Sequence, residues 1–132
     1  MCSILIVEDN PIFRETLKGI LATRFPSIMV DEASNAEEAL SEFEKINPRL
    51  IFMDMGLPDG NGLEITRTIK ETNPEIEIII LTSYDIPEYR EAASRSGASH
   101  FLAKGNVKID DITSLVASAM KADKKCRTTS IN

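Results

Sequence analysis

The sequence predicts one α/β domain, a doubly wound five-stranded parallel sheet in the order 2-1-3-4-5 with helices on both faces. Three observations predict it. Short apolar runs rich in branched residues alternate five times with segments of helical periodicity, as in β-α units whose strands are covered on both sides. Four of these runs end on polar residues of different chemical kinds, Glu8 and Asp9, then Asp54, Thr82 and Lys104, at spacings that fit one or two such units. The chain has 132 residues, 42% hydrophobic and 27% charged, the size and composition of a single domain.

Ser3 to Val7 is a solid apolar run and reads as the first strand. Asn10 and Pro11 suit an N-cap and first helical residue, opening a helix whose Phe13, Leu17, Ile20 and Leu21 fall on one side. Ile28 to Ala33 is a second strand with one wetter face. Ser34 and Asn35 can cap the next helix, in which Ala36, Ala39, Leu40 and Phe43 recur at helical spacing until Asn47-Pro48 ends it. Leu50 to Met53 is the third strand, followed directly by Asp54. The stretch Gly56-Leu57-Pro58-Asp59-Gly60-Asn61-Gly62 is loop chemistry ahead of a helix carried by Leu63, Ile65 and Ile69.

Ile76 to Leu81 is the fourth strand and runs into Thr82-Ser83. A shorter helix spans Pro87 to about Gly97, and His100 to Leu102 is a brief fifth strand. Ile112, Leu115, Val116, Ala119 and Met120 define the last amphipathic helix. Apolar periodicity then ceases, so residues 1–122 form the domain and 123–132 a polar tail or the start of a linker.

A net charge of −6 with interspersed basic residues argues against nucleic acid or an anionic membrane as this domain's own partner. No run approaches the roughly 20 apolar residues of a membrane helix, and no leader pattern opens the chain, so the expected location is the cytoplasm. Cys2 and Cys126 stand at opposite ends with no histidine nearby, and are expected to be incidental free thiols rather than zinc ligands or a disulfide framework. The single histidine, His100, is expected to be strand or strand-edge filler rather than part of a relay.

In a parallel sheet of this order, ligands sit outside the carboxyl ends of the strands, where the strand order reverses between the first and third strands. Glu8, Asp9 and Asp54 would face one another there. Singly, each carboxylate could do no more than solvate a loop or cap a helix. Together they repel: two unit charges about 6 Å apart cost roughly 3 kcal/mol at an effective dielectric of 20, which calls for a cation. Magnesium suits such a set because it takes a few carboxylate oxygens and leaves room for a phosphate oxygen. Asp54 would then be a carboxylate nucleophile toward phosphorus, with Thr82 as hydrogen-bond donor and Lys104 as counter-charge.

These segments resemble the receiver domain of bacterial two-component response regulators. The resemblance covers about Ser3 to Ala122 and rests on four stretches of this chain. They are Ile4-Leu5-Ile6-Val7-Glu8-Asp9-Asn10, Asp54 through Gly62, Leu81-Thr82-Ser83, and Gly97-Ala98 leading to Phe101-Leu102-Ala103-Lys104. It implies a flavodoxin-like receiver fold with Asp54 as phosphoacceptor and Asp9, Asp54 and the Gly56 carbonyl as ligands of Mg2+. Glu8 would act on the metal through water. A histidine kinase or histidine phosphotransfer protein would donate the phosphoryl group in a phosphorelay. The Thr82 hydroxyl would then move toward the phosphoryl group and Phe101 would turn into the vacated space, altering the face presented to an output domain or partner protein, a phosphorylation-dependent dimer included.

The chain departs from the family pattern at three places. Phe101 stands where tyrosine is common, Gly105 follows Lys104 where proline is frequent, and Gly56 and Tyr84 flank the pocket where polar residues in relatives position hydrolytic water. Slow self-dephosphorylation is expected from the last. The alternatives are an aspartate-nucleophile phosphohydrolase like the haloacid dehalogenases, an FMN carrier, or a non-phosphorylated docking module. The first lacks its second aspartate, since Gly56 is there, and Glu8 and Asp9 would repel the flavin phosphate of the second. The turn Lys104-Gly105-Asn106 favours a piece of a longer DNA-binding regulator over a stand-alone receiver.

Overall fold

The computed structural model describes residues 2–122 and Cys126. Five β-α units follow one another along the chain. They are β1 (Ser3–Val7), α1 (Pro11–Arg24), β2 (Met29–Ala33), α2 (Ala36–Ile46), β3 (Leu50–Asp54), α3 (Gly62–Thr72), β6 (Glu77–Thr82), α4 (Pro87–Ser96), β7 (His100–Ala103) and α5 (Ile109–Lys121). Two short strands, β4 (Gly56–Leu57) and β5 (Gly60–Asn61), form an antiparallel ribbon between β3 and α3.

The main sheet is parallel throughout and runs β2-β1-β3-β6-β7. Counting only its own strands, this is the expected order 2-1-3-4-5. Side chains alternate across it with the period of two that a strand imposes. Ile4, Ile6, Phe52 and Ile79 pack with Leu17, Leu21, Ile112 and Val116 on the α1/α5 side. Leu5, Val7, Ile51, Met53 and Ile80 pack with Phe43, Ile69 and Ala93 on the other. Every residue of β1 and β3 is buried, which is why both strands read as unbroken apolar runs. Each fully buried Leu or Ile contributes about 1.5–3 kcal/mol, and these two strands supply most of the sheet's central layer.

Helix ends follow their capping residues. The Asn10 side chain accepts hydrogen bonds from the amides of Ile12 and Phe13, and Pro11 takes the first helical position. Asn35 caps α2 and Asn61 caps α3 in the same way. Asn47 ends α2 in the left-handed region at φ 45°, and Gly97 ends α4 at φ 101°, a conformation that disfavours any side chain.

Several details differ from the sequence expectations. Leu40 lies on the outer side of α2, so Ala39 and Phe43 carry its buried face, flanked by the half-buried Ala36 and Ile46. The second strand starts at Met29, because the Met29 amide takes the Cys2 carbonyl while the Ile28 amide closes a turn onto Phe25. The fourth strand of the main sheet is shifted by one residue to Glu77–Thr82 and the fifth extends to Ala103, since Thr82 pairs with Ala103. All peptide bonds among the described residues are trans, the one between Lys104 and Gly105 included. Cys2 and Cys126 are not free thiols. They are joined in a disulfide with Cα atoms 5.3 Å apart, since Cys126 lies in the same core layer as Cys2 at the start of β1. The expected tail otherwise lies outside the described residues.

Candidate functional site

The carboxyl ends of β1, β3, β6 and β7 open into a cleft of about 550 Å³, lined by Asp9, Asn10, Asp54, Gly56, Thr82, Tyr84, Tyr89 and Lys104 among others. β1 and β3 are neighbours in the sheet, and the helices that follow them leave on opposite faces. The crevice therefore lies where the expected strand order places it.

Glu8 follows β1 and is fully buried, whereas Asp9 and Asn10 are exposed. One Glu8 carboxylate oxygen accepts the Asn10 amide at 3.0 Å. The other, Oε1, lies 2.7 Å from Lys104 Nζ in an ion pair that is off the hydrogen-bond direction, so this buried oxygen has no aligned donor. The Glu8 main-chain carbonyl is taken by the Arg14 guanidinium at 2.7 Å. Arg14 in turn pairs with Glu32 on β2, which ties the start of α1 to the sheet edge.

Asp54 closes β3, is nearly buried, and lies with one oxygen 3.3 Å from Lys104 Nζ. Its other oxygen accepts the Gly56 amide at 3.3 Å. Burial raises the Asp54 carboxyl from its ordinary range to about 7, helped by hydrogen bonding to and charge repulsion from Glu8 and by Asp9, and opposed by Lys104. One ammonium thus pairs with two carboxylates, Glu8 and Asp54, with a third, Asp9, close to both. Ligand oxygens of Glu8, Asp9 and Asp54 all lie within 4.8 Å of one another, close enough to hold one metal ion. The donor set, hard oxygens with one buried oxygen lacking an aligned donor, fits a hard divalent cation.

Thr82 ends β6, buried, with its hydroxyl accepting the Tyr84 amide at 3.1 Å. Lys104 is fixed in the sheet's register by its amide, which donates to the Thr82 carbonyl at 2.7 Å. Its stem passes over the Phe13 ring, with Nζ 5.3 Å from the centroid. Phe101 sits one face away from the cleft, half-buried on β7, with the Arg90 guanidinium 4.7 Å above its ring. His100 is exposed on the edge strand.

The expected residues Glu8, Asp9, Asp54, Gly56, Thr82 and Lys104 therefore converge, and Phe101 lies beside them on β7. Sequence reasoning missed Gly62, which opens α3 directly against the Asp54 carbonyl with no room for a side chain. Its signal was the third glycine of the Gly56-to-Gly62 loop. Asp59 was also missed. It reaches across to α2 and accepts the Ala36 and Glu37 amides at 2.6 and 3.1 Å, which fixes the loop and holds its carboxyl below the usual range. Nothing local marks that pairing across more than 20 residues.

Residues 4–117 match the family described as the response regulator receiver domain. The chain is 35% identical over 101 residues to the transcriptional regulatory protein DegU of Brevibacillus brevis, which covers 76% of this chain and 43% of that one. It is 34% identical over 101 residues to the chemotaxis protein CheY of Halobacterium salinarum, covering 76% and 82% respectively. The chain spans about half the length of the transcriptional regulators it matches. Among solved structures, a two-component response regulator from Clostridium difficile superposes with a TM-score of 0.84 at 25% identity, covering 92% of this chain and 97% of that one. A CheY-like receiver domain protein from Methanospirillum hungatei JF-1 gives 0.81 at 25% identity, over 98% and 97%. Among the described residues no helix is long and apolar enough to cross a membrane. The sheet order, the cleft at its carboxyl edge and these matches agree, and the chain belongs to the response regulator receiver domain family of two-component signalling.

Proposed function

We propose that this domain is a phosphorylation-driven switch that accepts a phosphoryl group on Asp54 from the phosphohistidine of a sensor kinase or phosphotransfer protein. The observation that carries the reading is the convergence of Asp54 and the buried Glu8 on one ammonium, Lys104, at 3.3 and 2.7 Å. This combination at a strand switch point suits a transferring anion better than a neutral substrate.

Asp54 supplies the nucleophile. A carboxylate oxygen attacks phosphorus in line, the bond to the donor imidazole nitrogen breaks, and the acyl phosphate stays on the protein. With a carboxyl held near 7, a sizeable fraction of Asp54 is protonated at neutral pH, so the group needs a nearby positive charge to be a competent nucleophile. Glu8, Asp9 and Asp54 would hold a divalent cation, Mg2+ by preference, with the Gly56 carbonyl as a further ligand; bound there, it stabilises the carboxylate form and offsets charge on the phosphoryl oxygens. Lys104 then follows the new charge from Asp54 to the phosphoryl oxygens. The Thr82 hydroxyl leaves the Tyr84 amide to donate to the same group, and Phe101 repacks into the space released. Gly56 and Tyr84 stand at the cleft where relatives carry polar residues that position hydrolytic water, and the acyl phosphate is long-lived. Residues 1–122 are the switch, and its consequence passes to an output segment or partner through the α4, β7 and α5 side.

Intact mass after incubation with acetyl phosphate tests this. The expected result is one phosphoryl addition that requires magnesium and is absent in Asp54→Asn. No addition to the wild type from acetyl phosphate or from a phosphorylated histidine donor would overturn the reading, and loss of the label within seconds would overturn the slow-hydrolysis part alone.

A further inference from the structure

The disulfide under the sheet lies far from the phosphoacceptor and has no part in the chemistry above. Cys2 is held in the sheet, its carbonyl accepting the Met29 amide at 3.1 Å, and Cys126 reaches it from beyond α5 across a sequence separation of 124. Both are almost fully buried in the core layer that also holds Leu50, Ala119 and Met120. The two cysteines also line a separate cleft of about 310 Å³ at the amino edge of the sheet, together with Ser3, Pro48, Arg49 and Glu75. Both cysteines are thus packed among apolar groups while bordering the cleft at that edge.

Arg49 strengthens the case. Its guanidinium donates to the Ala119 carbonyl at 3.2 Å and to the Glu75 carbonyl at 2.6 Å, clamping the last turn of α5 to the strand edge. A single cysteine pair bordering a cleft, in a chain with no other cysteine, can open and close without competing pairings, unlike a framework of several disulfides.

We propose that Cys2 and Cys126 are a redox tether, a modification site that a low-molecular-weight disulfide closes and a thiol opens, and that its state sets how firmly the end of α5 is held to the domain. One cysteine thiolate attacks a sulfur of the small disulfide and releases one thiolate. The second cysteine thiolate then attacks the mixed disulfide and releases the other. The protein loses two thiol protons and two electrons, and the small disulfide is reduced to two thiols that take up those protons. The tether does not depend on the phosphoacceptor reading, because its test involves no phosphoryl donor.

The test equilibrates the full chain in oxidised and reduced glutathione at graded ratios, traps free thiols with N-ethylmaleimide, and reads intact mass, linked peptides, melting temperature and amide exchange in the last turn of α5. The expected result is a reversible conversion between a doubly alkylated form and an unalkylated monomer two hydrogens lighter than the reduced chain, with Cys2 linked to Cys126. The linked form should melt roughly 5–15 °C higher and exchange more slowly at Met120 and Lys121. Cys126→Ser should match the reduced wild type in both measurements under every ratio. A mixed disulfide that never closes, a link between two molecules, or a closed link with unchanged exchange at the end of α5 would each overturn the proposal. So would a link that glutathione cannot open in the folded protein.

Discussion

Gly62 begins α3 in contact with the main-chain carbonyl of Asp54, and a Cβ at Gly62 would run into that oxygen. The backbone of Asp54 is thus held by a residue whose contribution is the space it leaves. Gly62→Ala should cost about 1–3 kcal/mol, the usual range for overpacking, and slow phosphoryl uptake because Asp54 must shift. Gly56→Ala, where a Cβ meets nothing within 4 Å, is the control and should leave stability within about 0.5 kcal/mol. Urea denaturation of the two variants checks this.

The raised Asp54 carboxyl makes stability depend on pH in a definite direction. Its folded value of about 7 lies above the ordinary carboxylate range, so the folded state binds this proton more tightly than the unfolded state. The contribution of Asp54 is therefore most favourable below the ordinary range and is lost as pH rises toward 7. Asp54→Asn removes that loss. In chelator it should be more stable than wild type at pH 8, by on the order of 2 kcal/mol after allowing for screening at the cleft mouth, with the gap closing toward pH 4. Millimolar magnesium should narrow the gap at pH 8 by stabilising wild type alone. Melting curves across pH, with and without magnesium, read both effects.

Lys104 holds the only ammonium that pairs with Glu8 and Asp54 among the described residues. Lys104→Ala should destabilise the fold by about 1–3 kcal/mol, since the buried Glu8 charge loses its partner. The same change should tighten divalent-cation binding by roughly three- to tenfold, because the competing positive charge is gone. Calorimetric titration with magnesium at fixed ionic strength separates the two consequences. Weaker cation binding in the variant would mean that Lys104 orders the carboxylates rather than competing for them.

Arg90 links the loop before α4 to β7, with its guanidinium 2.6 Å from Asp85 and 4.7 Å from the centre of the Phe101 ring. Arg90→Ala should cost about 0.5–1 kcal/mol, the scale of an exposed cation–π contact. Phe101 should become more mobile before phosphorylation and change less upon it, which ring proton relaxation in the two states would show.

The fold was legible because the buried strands carry their own signal. Leu50 to Met53 can be little else than a covered strand, and the polar residue that ends each such run must appear at one edge of a parallel sheet. Glu8, Asp54, Thr82 and Lys104 were found by that logic, each from its own strand end. What stayed hidden depends on direction rather than pattern. Leu40 has helical spacing yet points outward, since Ala39 and Phe43 already fill the space beneath α2. The cysteines read as isolated because 124 residues separate them, and only the folded arrangement sets Cys126 beside Cys2. Arg90 over Phe101 and Asp59 across to α2 join segments with no common periodicity, so no window along the sequence contains either pair.

Cys2 enters β1 and Glu8 leaves it, so one strand of five residues, about 17 Å long, separates the two chemistries of this domain. The molecule has a reactive pole and an anchoring pole. A phosphoryl donor of the kind proposed would approach the cleft at Asp54 at one end, while the covalent attachment at Cys126 belongs to the other. The two can be engaged at once without competing for space, and β1, rigid and buried along its whole length, is the ruler that keeps them apart.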